Sequence, residues 1–227
     1  MRSTADPDSV RRNCRAARDS SPRSVNVVTT ATATSCPTAA GRRARRPDEC
    51  EELTISSQLD PQIGPYDHLQ GEAGAELSLV EYGDFECPYC REAAPVIEKV
   101  REELGDRLMF AFRHFPLFEL HPHSLAAACA AEAASVYGRF WPMHARLYAP
   151  GPPRLTQRDL REHAEAIGLD DPDKAIWPAS QNFEDRVEAD FNSGVRSGVR
   201  GTPTLFVNGE QYRGAVSVDA LLDALTS

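Results

Sequence analysis

Cys87-Pro88-Tyr89-Cys90 is the stretch of this chain whose residue types and spacing carry the clearest chemistry. It follows the apolar run Leu77-Ser78-Leu79-Val80, which reads as a buried strand, and leads into Glu92 to Val100, which reads as a helix. The two cysteines therefore sit where a strand hands over to a helix. Free backbone N–H groups and the helix dipole at that end stabilise a thiolate. Cys87 becomes the nucleophile, and Cys90, about one helical turn further on, closes the ring onto it. The reaction this predicts is thiol–disulfide exchange. Cys-x-x-Cys is also half of a zinc site, but a structural zinc needs four ligands. The chain has no second Cys-x-x-Cys, and its tight histidine pair is His121-Pro122-His123. No metal, nucleotide or flavin site is read and no cofactor is expected, so electrons pass to or from another thiol. Asp84 and Glu86, beside the nucleophile, are expected to oppose the thiolate and raise the Cys87 pKa.

The elements that must hold this pair follow from the flanking pattern. A turn over Gly71 to Glu76 leads into a first strand, Leu77 to Tyr82. The helix after the cysteines stops at Gly105, and Pro95 inside it predicts a kink or a break. Leu108 to His114 is a second strand, so the unit is βαβ with parallel strands and a right-handed crossover. A helical block follows: Ser124 to Tyr137, Phe140 to Leu147, Leu155 to Ile167 behind a capping box at Thr156 and Asp159, and Asp171 to Phe191 interrupted near Pro178. Strand signals return at Thr204 to Val207, turn at Asn208-Gly209 and continue over Gln211 to Arg213. Ser217 caps a last helix, Val218 to Leu225. The fold class is α/β, with the sheet split across the sequence and the helices inserted between its halves.

The chain's 227 residues, 41% hydrophobic and 26% charged, suit one globular domain with an appendage. No run of about 18 apolar residues occurs, so no transmembrane segment is expected. The net charge of -9 is unevenly placed, because residues 1–50 hold ten of the 25 basic but only five of the 34 acidic groups. The acidic remainder argues against nucleic acid as a partner. Residues 1–60, rich in Arg, Ser, Thr and Pro, read as a disordered basic extension. Arg42-Arg43 and Arg45-Arg46 read as a solvated linker in preference to a nucleic-acid or membrane tail. Val25 to Cys36 faintly resembles a lipoprotein export signal, yet its core is threonine-rich. Without a clear signal, and with Cys14, Cys36 and Cys50 liable to mispair under oxidising conditions, the expected location is the cytoplasm, export or lipid anchoring being the alternative. Cys129, among alanines, reads as a small buried apolar residue.

Taken together, Cys87-Pro88-Tyr89-Cys90, the inserted helices and Val199-Arg200-Gly201-Thr202-Pro203-Thr204 before a hairpin strand resemble the thioredoxin superfamily, and within it the DsbA-like disulfide oxidoreductases. The likeness covers residues 66–227, a thioredoxin fold with an all-helical insertion at about 117–195. It implies that Thr202-Pro203 is a cis-proline loop beside the disulfide, presenting backbone groups to an extended substrate; proline suits the place because its cis bond costs least. It implies that Glu81 is a buried acid that accepts the Cys90 proton while a mixed disulfide resolves. The bland reading of Glu81 is an acid at a strand end reaching solvent. Pro88 and Tyr89 are implied to tune the redox potential and to face substrate.

Several features carry plain readings. Arg113-His114-Phe115-Pro116 and His121-Pro122-His123 are read as packing and capping. Phe140-Trp141-Pro142-Met143-His144 is read as core and surface of the insertion, or alternatively as an apolar wall receiving unfolded substrate. The functions in competition are a protein thiol–disulfide oxidoreductase acting on protein or small-molecule thiols, a glutathione-dependent enzyme of glutaredoxin-like or kappa type, and a non-catalytic peptide-binding or chaperone module.

Overall fold

The computed structural model describes residues 58–227, the side chains of 173–182 excepted. Most of the expected basic extension, with Cys14, Cys36, Cys50 and the arginine pairs, lies outside the described residues. Its expected end at residue 60 and the start of the fold at Tyr66 are corrected. Gln58 bridges to Glu210, the Leu59 amide donates to the Gly209 carbonyl at 2.8 Å, and Leu59 is buried. One apolar side chain with a core to enter, plus a free sheet edge to pair with, draws the chain into the fold earlier than its polar composition suggests.

Five strands form one sheet in the order β1-β3-β2-β4-β5: β1 His68–Gln70, β2 Leu77–Gly83, β3 Leu108–His114, β4 Thr204–Val207 and β5 Glu210–Gln211. β2 and β3 are parallel, joined by α1, Pro88–Leu104, as the βαβ reading expects. β1 is antiparallel to β3, β4 to β2, and β5 to β4. β1 has no counterpart in the sequence reading, since three residues are too few to show a period. The hairpin turn at Asn208-Gly209 has positive φ at both residues, 50° and 87°, the backbone that a tight two-residue turn requires.

The period of two in β2 divides its side chains between two cores. Leu77 and Leu79 pack with Ile97 and Val100 of α1 and with Leu221 and Leu225 of α6, Val218–Thr226. Val80 and Tyr82 face the opposite core with Leu59, Ala111, Phe115 and Phe206. A sheet buried on both faces reads as a continuous apolar run. Ser78 and Glu81 are the polar exceptions within β2, Glu81 on the same face as Leu79.

Between β3 and β4 lie four helices: α2 Ser124–Ser135, α3 Phe140–Leu147, α4 Gln157–Ala166 and α5 Pro172–Arg196. The Thr156–Asp159 capping box opens α4 as expected. Neither Pro95 nor Pro178 breaks its helix. α1 runs on past Pro95, an exposed residue whose missing N–H leaves the Arg91 carbonyl to other donors. α5 runs through Pro178 for 25 residues, packed along α2, so one lost bond does not end it. Phe140 and Met143 are core residues, and the Trp141 indole donates to the Leu69 carbonyl at 3.0 Å. They therefore form packing and not an exposed apolar wall.

Candidate active site

α1 begins at the cysteine pair. Cys87 is its N-cap, with extended backbone (φ -67°, ψ 123°), and Pro88 takes the first helical position, where a missing N–H costs nothing. The Cys87 amide donates to the Asp84 carbonyl at 3.1 Å, closing the turn that joins β2 to the helix. Both thiols are free, and both cysteines are buried, Cys87 at 3% exposure and Cys90 at none.

The two sulfurs are driven in opposite directions. The Cys87 thiol falls to about 5, first because the Cys90 thiol donates to its sulfur, against the cost of burial; the Thr202 side chain and the Cys90 and Tyr89 amides add to the effect. Cys90 is pushed well above the usual thiol range, first by burial, then by the hydrogen bond it gives Cys87 and the charges of Glu81 and Cys87. One sulfur is a thiolate at neutral pH and the other stays protonated. That asymmetry is what a nucleophile and a resolving thiol require.

The expectation that Asp84 and Glu86 raise the Cys87 pKa is overturned, because both carboxylates are turned to other donors. Asp84 is buried and accepts from the Glu86 amide at 2.8 Å, the Leu117 amide at 2.9 Å and His121 Nδ1 at 2.8 Å. Glu86 accepts from the His123 amide at 2.7 Å and His123 Nδ1 at 2.9 Å. The His121-Pro122-His123 segment thus caps the turn that carries Cys87.

Thr202-Pro203 comes from a segment 115 residues further on and meets the cysteines directly. Its peptide bond is cis. The Cys87 thiol donates to the Thr202 carbonyl oxygen at 3.2 Å, and Thr202 Oγ1 is buried with no hydrogen-bond partner among the described residues other than the Cys87 sulfur whose pKa it lowers. Beside the loop opens a groove of about 430 Å³, lined by Arg200, Gly201, Thr202, Pro203, Gln211 and Arg213. Pro88 and Tyr89 are exposed, Tyr89 at 67%.

Glu81 is 1% exposed, so the reading of an acid reaching solvent is overturned. Burial, and then the charge of Cys87, lift its carboxyl to about 8. Its Oε1 meets no hydrogen-bond partner among the described residues. Tyr148 was not foreseen. It is buried at the end of α3, its ring 4.9 Å from that of Phe85, and its hydroxyl is likewise unpartnered. Burial, then the charges of Cys90 and Glu81, push its phenol well above the usual range. Nothing in the sequence distinguishes Tyr148 from any aromatic closing a short amphipathic helix.

Residues 64–227 match the family model described as Thioredoxin. The chain belongs to this family. Its fold is that of the DsbA-like branch: it is similar to the thiol-disulfide exchange protein alpha-DsbA2 from Wolbachia pipientis, at 19% identity and a TM-score of 0.61 over 70% of this chain and 86% of that one. It is similar also to a periplasmic thioredoxin-like protein from Salmonella enterica serovar Typhimurium, at 22% identity and a TM-score of 0.58 over 78% and 98%. At these identities the likeness speaks for the fold. Among curated proteins, the Na(+)/H(+) antiporter NhaA 1 of Mycolicibacterium gilvum is 39% identical over 181 residues, 79% of this chain. The match spans only 29% of that protein's length.

Proposed function

We propose that this protein is a thiol–disulfide oxidoreductase that exchanges disulfides with protein thiols through Cys87 and Cys90. The observation that carries the reading is the opposed state of the two sulfurs: Cys87 at a helix N-terminus with a pKa near 5, and Cys90 beneath it held protonated.

In the reducing direction the Cys87 thiolate attacks a substrate disulfide, forming a mixed disulfide and releasing one substrate thiolate, which takes a proton from water. The Cys90 proton then passes to Glu81 in its ionised form, about a tenth of the population at pH 7, a share that grows in the mixed disulfide because the Cys87 charge that raises the Glu81 pKa is gone. The resulting Cys90 thiolate attacks the Cys87 sulfur, forming the Cys87–Cys90 disulfide and expelling the second substrate thiolate. A substrate disulfide has gained two electrons and the dithiol has lost two. Oxidation of substrate dithiols is the same sequence run backwards. With a pKa near 8, Glu81 can take a proton at neutral pH and give it back, which a carboxylate near 4.5 does less well.

Thr202-Pro203 and the adjoining groove would seat the substrate segment beside Cys87, with Pro88 and Tyr89 on the exposed rim. Arg200 and Arg213 in the groove favour segments carrying acidic or polar groups. The antiporter activity named for the curated relative is not part of this reading. Among the described residues no helix is long and apolar enough to cross a membrane, so they supply no transport path made of helices. The cytoplasmic expectation gives way to the exported alternative, which the likeness to a periplasmic thioredoxin-like protein supports.

The equilibrium reduction potential of the Cys87–Cys90 pair in glutathione buffers, with Cys87→Ser as control, tests the proposal. A thiolate this stabilised favours the dithiol, so the expected value lies nearer about -120 mV, typical of an oxidase, than about -270 mV, typical of a reductase. A pair that never forms a disulfide, with peptide binding retained in Cys87→Ser, would replace the enzyme by a binding module.

A further inference from the structure

Away from the cysteines, three side chains from three elements converge on one point. His68 lies on β1, His114 at the end of β3 and Glu132 in α2. Both imidazoles approach the same carboxylate oxygen: His68 Nε2 lies 2.7 Å and His114 Nε2 2.9 Å from Glu132 Oε1. All three donor atoms fall within 4.8 Å of one another. Among the described residues this is the group gathered at metal-ligand spacing, and neither redox cysteine belongs to it. The sequence reading had assigned His114 to packing and found no metal site.

We infer that His68, His114 and Glu132 form a binding site for a first-row divalent cation of the zinc class. Two imidazoles and one carboxylate are the donor set of open zinc sites and of non-haem iron sites, whereas calcium and magnesium call for oxygen ligands throughout. Ligand atoms about 2.0–2.1 Å from a tetrahedral ion stand roughly 3.3 Å apart. Each nitrogen–oxygen contact therefore has to lengthen by about half an ångström as the ion takes the place of two shared protons. His68 can supply that movement. It sits on a three-residue edge strand and its side chain is 16% exposed, against 1% for His114 and 4% for Glu132, whose own 2.9 Å contact opens by about 0.4 Å through a turn of the Glu132 carboxylate. The exposed flank of His68 is also the way in for the ion and for a water in the remaining position.

The surroundings are built to orient these ligands. The His68 ring stacks on Phe140 at 3.5 Å and 6°. His114 packs edge-on against Phe85, Phe112 and Phe140, with ring centroids 5.9, 5.3 and 5.9 Å away. His144 of α3 rests on the same three rings, at 5.6, 4.7 and 6.1 Å, and its Nε2 is buried with no partner among the described residues. An ion here would tie the sheet edge to α2, joining the strands that carry the redox centre to the helices packed on them.

The test is metal titration of the full chain after alkylating its accessible thiols with iodoacetamide, so that the cysteines cannot bind the ion. Co²⁺ is expected to bind at one equivalent, with visible d–d absorption and no sulfur charge-transfer band, and Zn²⁺ to displace it. His68→Gln and Glu132→Gln should each weaken binding by at least about 100-fold, whereas His123→Ala should leave it unchanged. His68→Gln lies on the exposed edge and keeps the test decisive if Glu132→Gln does not fold. In addition, Zn²⁺ should raise the unfolding temperature of the alkylated wild type and not that of His68→Gln. Failure of the alkylated protein to bind Co²⁺ or Zn²⁺, or binding that neither ligand variant weakens, would overturn the site.

Discussion

The Cys87 thiol donates to the Thr202 carbonyl oxygen at 3.2 Å, while the hydroxyl of the same threonine is buried with no partner among the described residues other than that sulfur. The two ends of Thr202 serve different protonation states of Cys87. A carbonyl can only accept, so it holds the thiol; once the proton leaves, only the hydroxyl can still donate to the sulfur.

Thr202→Val keeps the shape and the carbonyl but removes that donor. A hydrogen bond to a charged group contributes about 1.5 kcal/mol or more, so the Cys87 pKa should rise by about one unit. At pH 7 and above, where the thiolate predominates in both proteins, each unit of rise weakens the reduced form by about 1.4 kcal/mol and moves the potential about 30 mV in the reducing direction; below about pH 5 the difference disappears. Thiolate absorbance at 240 nm against pH, and the glutathione equilibrium, read these two quantities. If both stay at wild-type values, the hydroxyl does not reach the sulfur.

Glu81 sets a stability trend of opposite sign to an ordinary carboxylate. Its folded pKa, about 8, lies above the ordinary glutamate value of about 4.5. Between those limits the folded chain holds a proton that the unfolded chain has lost. Its contribution is therefore fully present below about pH 4.5 and is lost as pH rises toward 8. Glu81→Gln removes the trend, so the variant should match the wild type near pH 4 and exceed it by up to about 3 kcal/mol at pH 7. Denaturant unfolding of both reduced proteins at the two pH values makes the comparison. The same variant should slow the step in which Cys90 attacks the mixed disulfide, with the alkylation rate of Cys87 little changed. A uniform stability difference at both pH values would show that Glu81 does not titrate in this range.

What could be read in advance divides along physical lines. The Cys87-Pro88-Tyr89-Cys90 motif, the βαβ unit, the Asn208-Gly209 turn and the Thr156 capping box are local signals, each written within a few residues, and they placed the elements closely. β1 was too short to show a period, and Pro95 and Pro178 each remove one backbone hydrogen bond without ending a helix. The state of Cys87 was misjudged for a different reason. Nearness in sequence suggested that Asp84 and Glu86 would act on it, but their oxygens are taken by Leu117, His121 and His123 from beyond β3. Tyr148 and the His68, His114, Glu132 cluster were illegible because only the folded sheet and helices bring them to their neighbours.

Arg113 fixes the segment leading into the sheet. Its guanidinium is buried, binds both oxygens of Asp67 at 2.7 and 3.0 Å, and donates to the carbonyls of Pro61 and Gln62 and to the Tyr82 hydroxyl. The Asp67 hydrogen bonds hold its pKa above the usual range in spite of burial. Lysine keeps the charge but cannot present this fork of donors. Arg113→Lys should cost about 2–4 kcal/mol, and Arg113→Met more, since it leaves the Asp67 carboxylate buried and unpaired. Urea midpoints with an unchanged slope measure the loss. A conservative response in Arg113→Lys, below about 0.5 kcal/mol, would mean that charge alone and not the geometry of the fork holds the segment.

The turn carrying Cys87 depends on Asp84 in the same way, but its partners separate two contributions. Asp84→Ala leaves the Glu86 and Leu117 amides without their acceptor, and orphaned donors cost about 1–3 kcal/mol each, so a total near 3 kcal/mol is expected. His121→Ala removes one charge-assisted bond and leaves both amides satisfied, which should cost about 1–2 kcal/mol. The Asp84 and His121 double variant should then cost less than the sum, by about the strength of their shared 2.8 Å bond. Hydrogen exchange gives an independent reading: the Leu117 amide should exchange faster in Asp84→Ala and stay protected in His121→Ala. Equal loss of protection in both variants would mean that His121 holds the turn as a whole, and Asp84 only through it.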